Sequence, residues 1–129
     1  MKEEKAIDFE KLLDTSIWLS YLLDSLYQEL IESKKTIFIS PLSIFEIKKK
    51  LFNKKVPDNE IKEKVAFIKE RTISISVDNN IAEKAAQLAN ENKMPAIDSL
   101  IYATSFVNNC ILITRDNDFR NLRNVQVLD

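Results

Sequence analysis

Short apolar runs alternate along this chain with helical stretches long enough to cross a sheet, and that alternation limits the fold more than any other feature. Thr36-Ile37-Phe38-Ile39-Ser40 and Cys110-Ile111-Leu112-Ile113-Thr114 are brief, apolar and rich in β-branched residues, the pattern of buried strands. Phe9 to Leu13 is a further strand candidate that ends at Asp14, and Val125 to Leu128 a short last one. Thr72-Ile73-Ser74-Ile75-Ser76-Val77 alternates apolar and polar residues, as a strand near a sheet edge does. Between these runs lie the helices. Trp18, Leu22, Leu26 and Leu30 repeat at i+4 and predict one helix over Ser16–Ser33. Ser40 caps and Pro41 opens the next, which runs to about Phe52 with Ile44, Ile47 and Leu51 inward. Asp58 is expected to cap a third helix (Ile61, Val65, Ile68 inward) and Asp78 a fourth (Ile81, Ala85, Leu88, Ala89). Pro95 opens a fifth, around which Ile97, Leu100, Ile101, Thr104 and Val107 are arranged. Strands alternating with crossover helices predict an α/β fold with a central, mainly parallel sheet covered on both faces. Such sheets bind ligands at the carboxyl ends of their strands.

The chemistry open to such a site is narrowed by what the chain lacks. It has 129 residues, most simply one domain, with 1–8 a short charged extension. It has no Gly, which excludes glycine-rich phosphate loops. It has no His, which excludes histidine triads, histidine-ligated zinc and histidine bases. Its single Cys, Cys110, sits in an apolar run and reads as a small buried hydrophobe. A net charge of −1 argues against gripping long duplex DNA by bulk electrostatics. The charged start Met1-Lys2-Glu3-Glu4-Lys5 does not read as a secretory signal, and no apolar run is long enough to span a membrane. A cytoplasmic protein is expected. Carboxylate chemistry remains, with Ser, Thr, Lys, Arg and Tyr in support.

Four stretches place acids at element junctions, and each acid also has a plain structural reading. Asp14 precedes Thr15-Ser16 and is positioned to cap a helix. Glu46, between Phe45 and Ile47, is either a solvated helix edge or a site group. Asp98, among Ile97, Leu100 and Ile101, is harder to explain by solvation. Asp116 and Asp118 suit a turn in Arg115-Asp116-Asn117-Asp118-Phe119. Asp78 is assigned to capping alone, and Lys48-Lys49-Lys50 fits a solvated helix face as well as a nucleic-acid patch. Taken together, carboxylates on one sheet edge repel and raise each other's pKa, a cost that a bound cation removes. Oxygen ligands without His or Cys suit Mg²⁺ or Mn²⁺, and such a metal can promote phosphodiester hydrolysis without histidine.

Leu13-Asp14-Thr15-Ser16, Ser40-Pro41-Leu42-Ser43-Ile44-Phe45-Glu46, Ala96-Ile97-Asp98-Ser99-Leu100-Ile101-Tyr102-Ala103-Thr104 and Leu112-Ile113-Thr114-Arg115-Asp116-Asn117-Asp118-Phe119 resemble, in order, the successive signatures of the PIN domain. The resemblance is closest to VapC-type toxin nucleases and spans nearly the whole chain. It implies a three-layer α/β/α sandwich with a sheet of about five strands. It also implies a Mg²⁺- or Mn²⁺-dependent endoribonuclease, a homodimer and inhibition by a VapB-type antitoxin. By motif, Asp14, Glu46, Asp98 and Asp116 are the catalytic and metal-holding acids, with Asp118 the alternative for the fourth. Thr15, Ser16 and Thr114 are supporting polar residues, and Lys49, Lys50, Arg115 and Arg120 are candidate RNA contacts. Two departures stand out: the charged stretch before the first strand is longer than in most small members, and the glycine common after the second-motif helix is missing. Rival readings are a free-standing PIN nuclease of RNA processing or DNA repair, a non-catalytic PIN-like module, and a receiver-like domain. The last needs a late Lys, and none follows Lys93.

Overall fold

The computed structural model describes residues 9–129; the extension expected over 1–8 lies outside the described residues. The elements are β1 (Lys11–Leu13), α1 (Thr15–Asp24), α2 (Gln28–Ile31), β2 (Ile37–Ile39), α3 (Pro41–Asn53), α4 (Asp58–Arg71), β3 (Ile73–Ser74), α5 (Asn79–Asn92), α6 (Ala96–Val107), β4 (Ile111–Thr114) and β5 (Val125–Val127). The strands form one five-stranded sheet in the order β3-β2-β1-β4-β5, parallel at every pairing. This is the expected α/β/α sandwich. β1 lies at its centre, with Leu12 opposite both Phe38 and Leu112. After β1 the chain builds outward to β2 and β3, then returns to lay β4 on the other side of β1. The strand order therefore reverses between β1 and β4, where a parallel sheet opens a crevice.

Alternation along the strands splits the core into two layers. Leu13, Ile37, Ile39 and Ile113 face α1, α3 and α4, packing on Ile17, Trp18, Ile47, Leu51, Ile61 and Ile68. Leu12 and Leu112 face the other way, onto Ile81, Leu88, Ile101 and Tyr102 of α5 and α6. No helix among the described residues is long and apolar enough to cross a membrane.

Three details differ from the sequence reading. The helix predicted over Ser16–Ser33 is broken, because Ser25 and Tyr27 both adopt left-handed backbone (φ 59° and 60°). Leu26, which the i+4 pattern places inward, is exposed. Asp58 is not a cap: Pro57 holds that position and no side chain caps α4. The edge strand expected over 72–77 shortens to Ile73–Ser74, paired to β2 alone. Asp78 caps α5 as expected, accepting a hydrogen bond from the Ile81 N–H at 2.9 Å.

Candidate active site

Asp14 leaves the end of β1 at the point where the strand order reverses. It occupies the N-cap position of α1, yet its side chain makes no cap hydrogen bond. Its carboxylate turns instead to β4. Thr114 Oγ1 donates to Asp14 Oδ2 at 2.7 Å, and Ser16 Oγ donates to the same oxygen at 3.0 Å. The direction of both bonds is fixed from behind. The Asp116 N–H donates to Thr114 Oγ1 and the Arg115 N–H to Ser16 Oγ, each at 3.0 Å. Each hydroxyl oxygen accepts from the backbone and hands its own proton to the carboxylate. The end of β4 thereby clamps the end of β1.

Glu46 comes from the second turn of α3. It is half-buried, not a fully solvated helix edge, and Thr15 Oγ1 donates to its Oε1 at 2.6 Å. The same Thr15 oxygen lies 2.9 Å from Oγ of Ser43, a residue with no exposed surface. Asp98 sits in the first turn of α6, where helix N-terminal N–H groups favour a carboxylate. Asp116 begins the turn after β4 and accepts a hydrogen bond from the Asp118 N–H at 2.9 Å. It thus serves the local turn while facing the site.

All four acids line one cavity of about 470 Å³, together with Thr15, Ser16, Lys49 and Lys50. Asp118 lies outside it, exposed, in a neighbouring cavity that Asp98 also borders. The electrostatics follow from this crowding. Burial raises the pKa of Asp14 above the usual carboxylate range, the nearby Asp116 charge adds to this, and the Thr114 and Ser16 hydroxyls and the Thr15 backbone oppose it. Asp98 is pushed up to about 6, first by burial and then by the charges of Asp14, Asp116, Glu46 and Asp118. Mutual repulsion of this kind disfavours the ionised cluster and favours a cation among its members. The all-oxygen donor set suits a hard divalent ion. The carboxylates stand around the cavity wall: among the described residues no three acids are already gathered into a metal-holding group.

The basic candidates divide. Lys49 and Lys50 line the cavity. Arg115 does not: its guanidinium donates to Ser20 Oγ at 2.8 Å and lies over the Tyr27 ring. Arg120 is held in the exposed turn by Asn117 Oδ1. Sequence reading passed over Ser43, Phe45 and Asn53. Ser43 carried a signal, since it lies one turn before Ile47 on the core face of α3 and is the polar member of that face. Cys110 is buried with its thiol pKa raised by burial, in keeping with a packing role.

Solved structures share the fold. One is a chain of a toxin–antitoxin complex from Klebsiella pneumoniae (22% identity, TM-score 0.76, covering 91% of this chain and 96% of that one). Another is a chain of VapBC2 from Rickettsia felis bound to a DNA fragment from their promoter (19% identity, TM-score 0.77, 93% and 99%). A third is VapC20 of Mycobacterium tuberculosis, a sarcin–ricin loop cleaving toxin (13% identity, TM-score 0.64, 92% and 89%). At these identities the likeness is one of fold. No curated protein matches the chain. The PIN domain family model matches residues 11–125, a span that takes in β1 to β4, the first residue of β5 and every acid of the cavity, and the chain belongs to the PIN domain family.

Proposed function

We propose that this protein is a metal-dependent endoribonuclease of the VapC toxin type, restrained by a VapB-type antitoxin. The observation that carries the reading is the single cavity at the strand ends, into which β1, α3, α6 and the turn after β4 each deliver one carboxylate. Asp14, Glu46, Asp98 and Asp116 would hold Mg²⁺ or Mn²⁺, with Asp118 at the margin. A bound ion supplies Lewis acidity there, easing deprotonation of water and offsetting negative charge on the phosphodiester. The chain's own residues do the rest. Thr114 and Ser16 hold Asp14 in one orientation, and Thr15 does the same for Glu46. Lys49 and Lys50 offset the charge of the incoming phosphates. Burial and the neighbouring charges disfavour ionised Asp98 in the metal-free chain, and as a metal ligand it would be held ionised. RNA as the substrate class is supported by VapC20, a fold neighbour described as cleaving the sarcin–ricin loop. An antitoxin partner is supported by neighbours that are toxin–antitoxin complexes. A cytoplasmic homodimer completes the reading.

The test is cleavage of labelled RNAs with Mg²⁺, Mn²⁺ or EDTA, run beside Asp14→Asn and Asp98→Asn. Both substitutions keep size and hydrogen bonding but remove a charge. Each is expected to cut the rate by roughly a hundredfold or more, in line with the loss of a main electrostatic group. Cleavage by both variants at the wild-type rate, or undiminished in EDTA, would overturn the assignment.

A further inference from the structure

The surface beside the acid cavity is built differently from the rest of the molecule. The α3–α4 hairpin, residues 41–71, holds nine of the chain's 19 Lys and Arg but five of its 20 Asp and Glu, so a net-acidic chain carries a basic hairpin here. On α3, Phe45 and Phe52 lie seven residues apart, two turns along one face. Their exposures are 57% and 53%, in contrast to the fully buried Trp18 and Phe119. Each ring has a lysine at four-residue spacing: Lys49 Nζ is 5.9 Å from the Phe45 ring centre and Lys48 Nζ is 5.8 Å from that of Phe52. The two rings, the two lysines and Asn53 line a groove of about 380 Å³. Phe45, Lys49 and Asn53 belong to the wall of the acid cavity as well, so groove and cavity adjoin.

We infer that this ledge is a platform for single-stranded RNA, with bases stacking on Phe45 and Phe52 and phosphates meeting Lys48 and Lys49, which feeds the strand into the acid cavity. Exposed aromatic rings interleaved with solvated ammonium groups are what a single strand needs, because every base has a π face and every phosphate a charge. A duplex keeps its bases stacked inside and offers none to the rings. A protein partner covering this groove would have to desolvate both lysines and find them carboxylates, whereas phosphates leave them partly in water. The inference deepens the ribonuclease reading and rests on it for the direction in which the strand runs.

Binding and cutting can be measured apart. Fluorescence anisotropy of a labelled single-stranded RNA, with the full chain carrying Asp98→Asn and no metal, reads binding alone; wild-type cleavage with Mg²⁺ or Mn²⁺ reads the ribonuclease assignment. Phe45→Ala and Phe52→Ala are each expected to weaken binding about tenfold, the size of one lost base stack. Phe45→Trp is expected to keep the affinity, and Phe45→Leu to lose it as fully as alanine does. Lys48→Ala and Lys49→Ala are expected to flatten the salt dependence, which the phenylalanine substitutions leave unchanged. All these positions are exposed, and a melting curve for each variant verifies the fold. The inference is overturned if the parent does not bind the RNA, if Phe45→Leu binds like wild type, or if neither alanine variant weakens binding. It is overturned too if the alanine variants bind RNA normally but lose a copurifying protein, since the ledge is then a protein interface. Wild-type cleavage with unaltered binding by the phenylalanine variants removes the ledge and leaves the nuclease; ledge-dependent binding without cleavage does the reverse.

Discussion

At Asp98, burial and four other carboxylates all act in one direction, lifting its pKa from 3.8 to about 6. The consequence for stability has a definite sign. The folded chain holds a proton on Asp98 between those two values, where the unfolded chain has released it. Stability from this group is present at low pH and is lost as pH rises through about 6. Asp14 is shifted in the same direction. Asp98→Asn is therefore expected to raise the Tm of the metal-free protein at pH 7.5, on the order of a few degrees, and to change it little at pH 4. A divalent ion should act on the same charge. Saturating Mg²⁺ is expected to raise the wild-type Tm at pH 7.5, by the equivalent of about 2.7 kcal/mol at 100 times its Kd. That gain should shrink below pH 6, where protons compete for the ligands. Melting curves across pH, with and without Mg²⁺ or Mn²⁺, check both, and a Tm indifferent to either ion counts against a metal site. Thr114 offers a subtler test. Thr114→Val keeps the shape but removes the donor to Asp14 and the acceptor of the Asp116 N–H. A loss of about tenfold to a hundredfold in metal affinity is expected, read by the metal concentration needed for half-maximal cleavage.

At the scale of elements, the missing glycines leave a mark. Among the described residues seven, none of them glycine, take left-handed backbone: Ser25, Tyr27, Lys55, Lys93, Asn109, Asn121 and Asn124. For an L-residue that conformation costs roughly 1–2 kcal/mol, which glycine avoids. Lys55 is the clearest case, exposed just beyond α3, where its N–H donates to the Phe52 carbonyl at 2.9 Å. Lys55→Gly is expected to raise the Tm by a few degrees, on the order of 1 kcal/mol; a lowered Tm would mean the lysine side chain contributes more than its backbone costs. The same conformations explain what periodicity could not give. Trp18, Leu22, Leu26 and Leu30 are spaced for one helix, but Tyr27 breaks it for a distant reason. Its ring lies under Arg115 and its hydroxyl donates to the Asp129 carbonyl, contacts far away in sequence that local spacing does not encode. Arg115 stands outside the cavity because of the strand period. Thr114 turns inward to Asp14, so the next side chain turns away, to Ser20. By contrast the strands were legible, because a buried parallel strand is a continuous apolar run, and so was Asp78, whose cap is local. Asp14 and Asp116 were legible as acids at strand ends, and Asp98 and Glu46 as acids beside the apolar faces of helices. Their convergence on one cavity, and the exposure of Phe45 at its rim, are tertiary facts.

For the molecule as a whole, the reversal of strand order between β1 and β4 concentrates negative charge at one end of the sheet, beside a hairpin of positive charge. A protein partner that silences such a site has a simple electrostatic solution. An arginine inserted among the carboxylates can pair with them in bidentate fashion and substitute for the charge of a metal ion. The antitoxin reading accordingly predicts a basic segment covering the cavity, encoded by a small adjacent gene. Coexpression is expected to yield a complex that copurifies and does not cleave RNA. Replacing the partner's cavity-facing Arg by Ala is expected to restore cleavage while the rest of the interface still holds the two chains together. Salt sensitivity tells which contacts dominate: binding that weakens steeply with salt points to exposed charge pairs, and binding that does not points to an apolar helix seated in a groove. Excess Mg²⁺ should compete with the inserted arginine and not with apolar contacts, so rising Mg²⁺ is expected to relieve inhibition before the complex dissociates. A pair that fails to copurify and leaves cleavage uninhibited removes the toxin reading, and leaves a nuclease that works without a dedicated inhibitor.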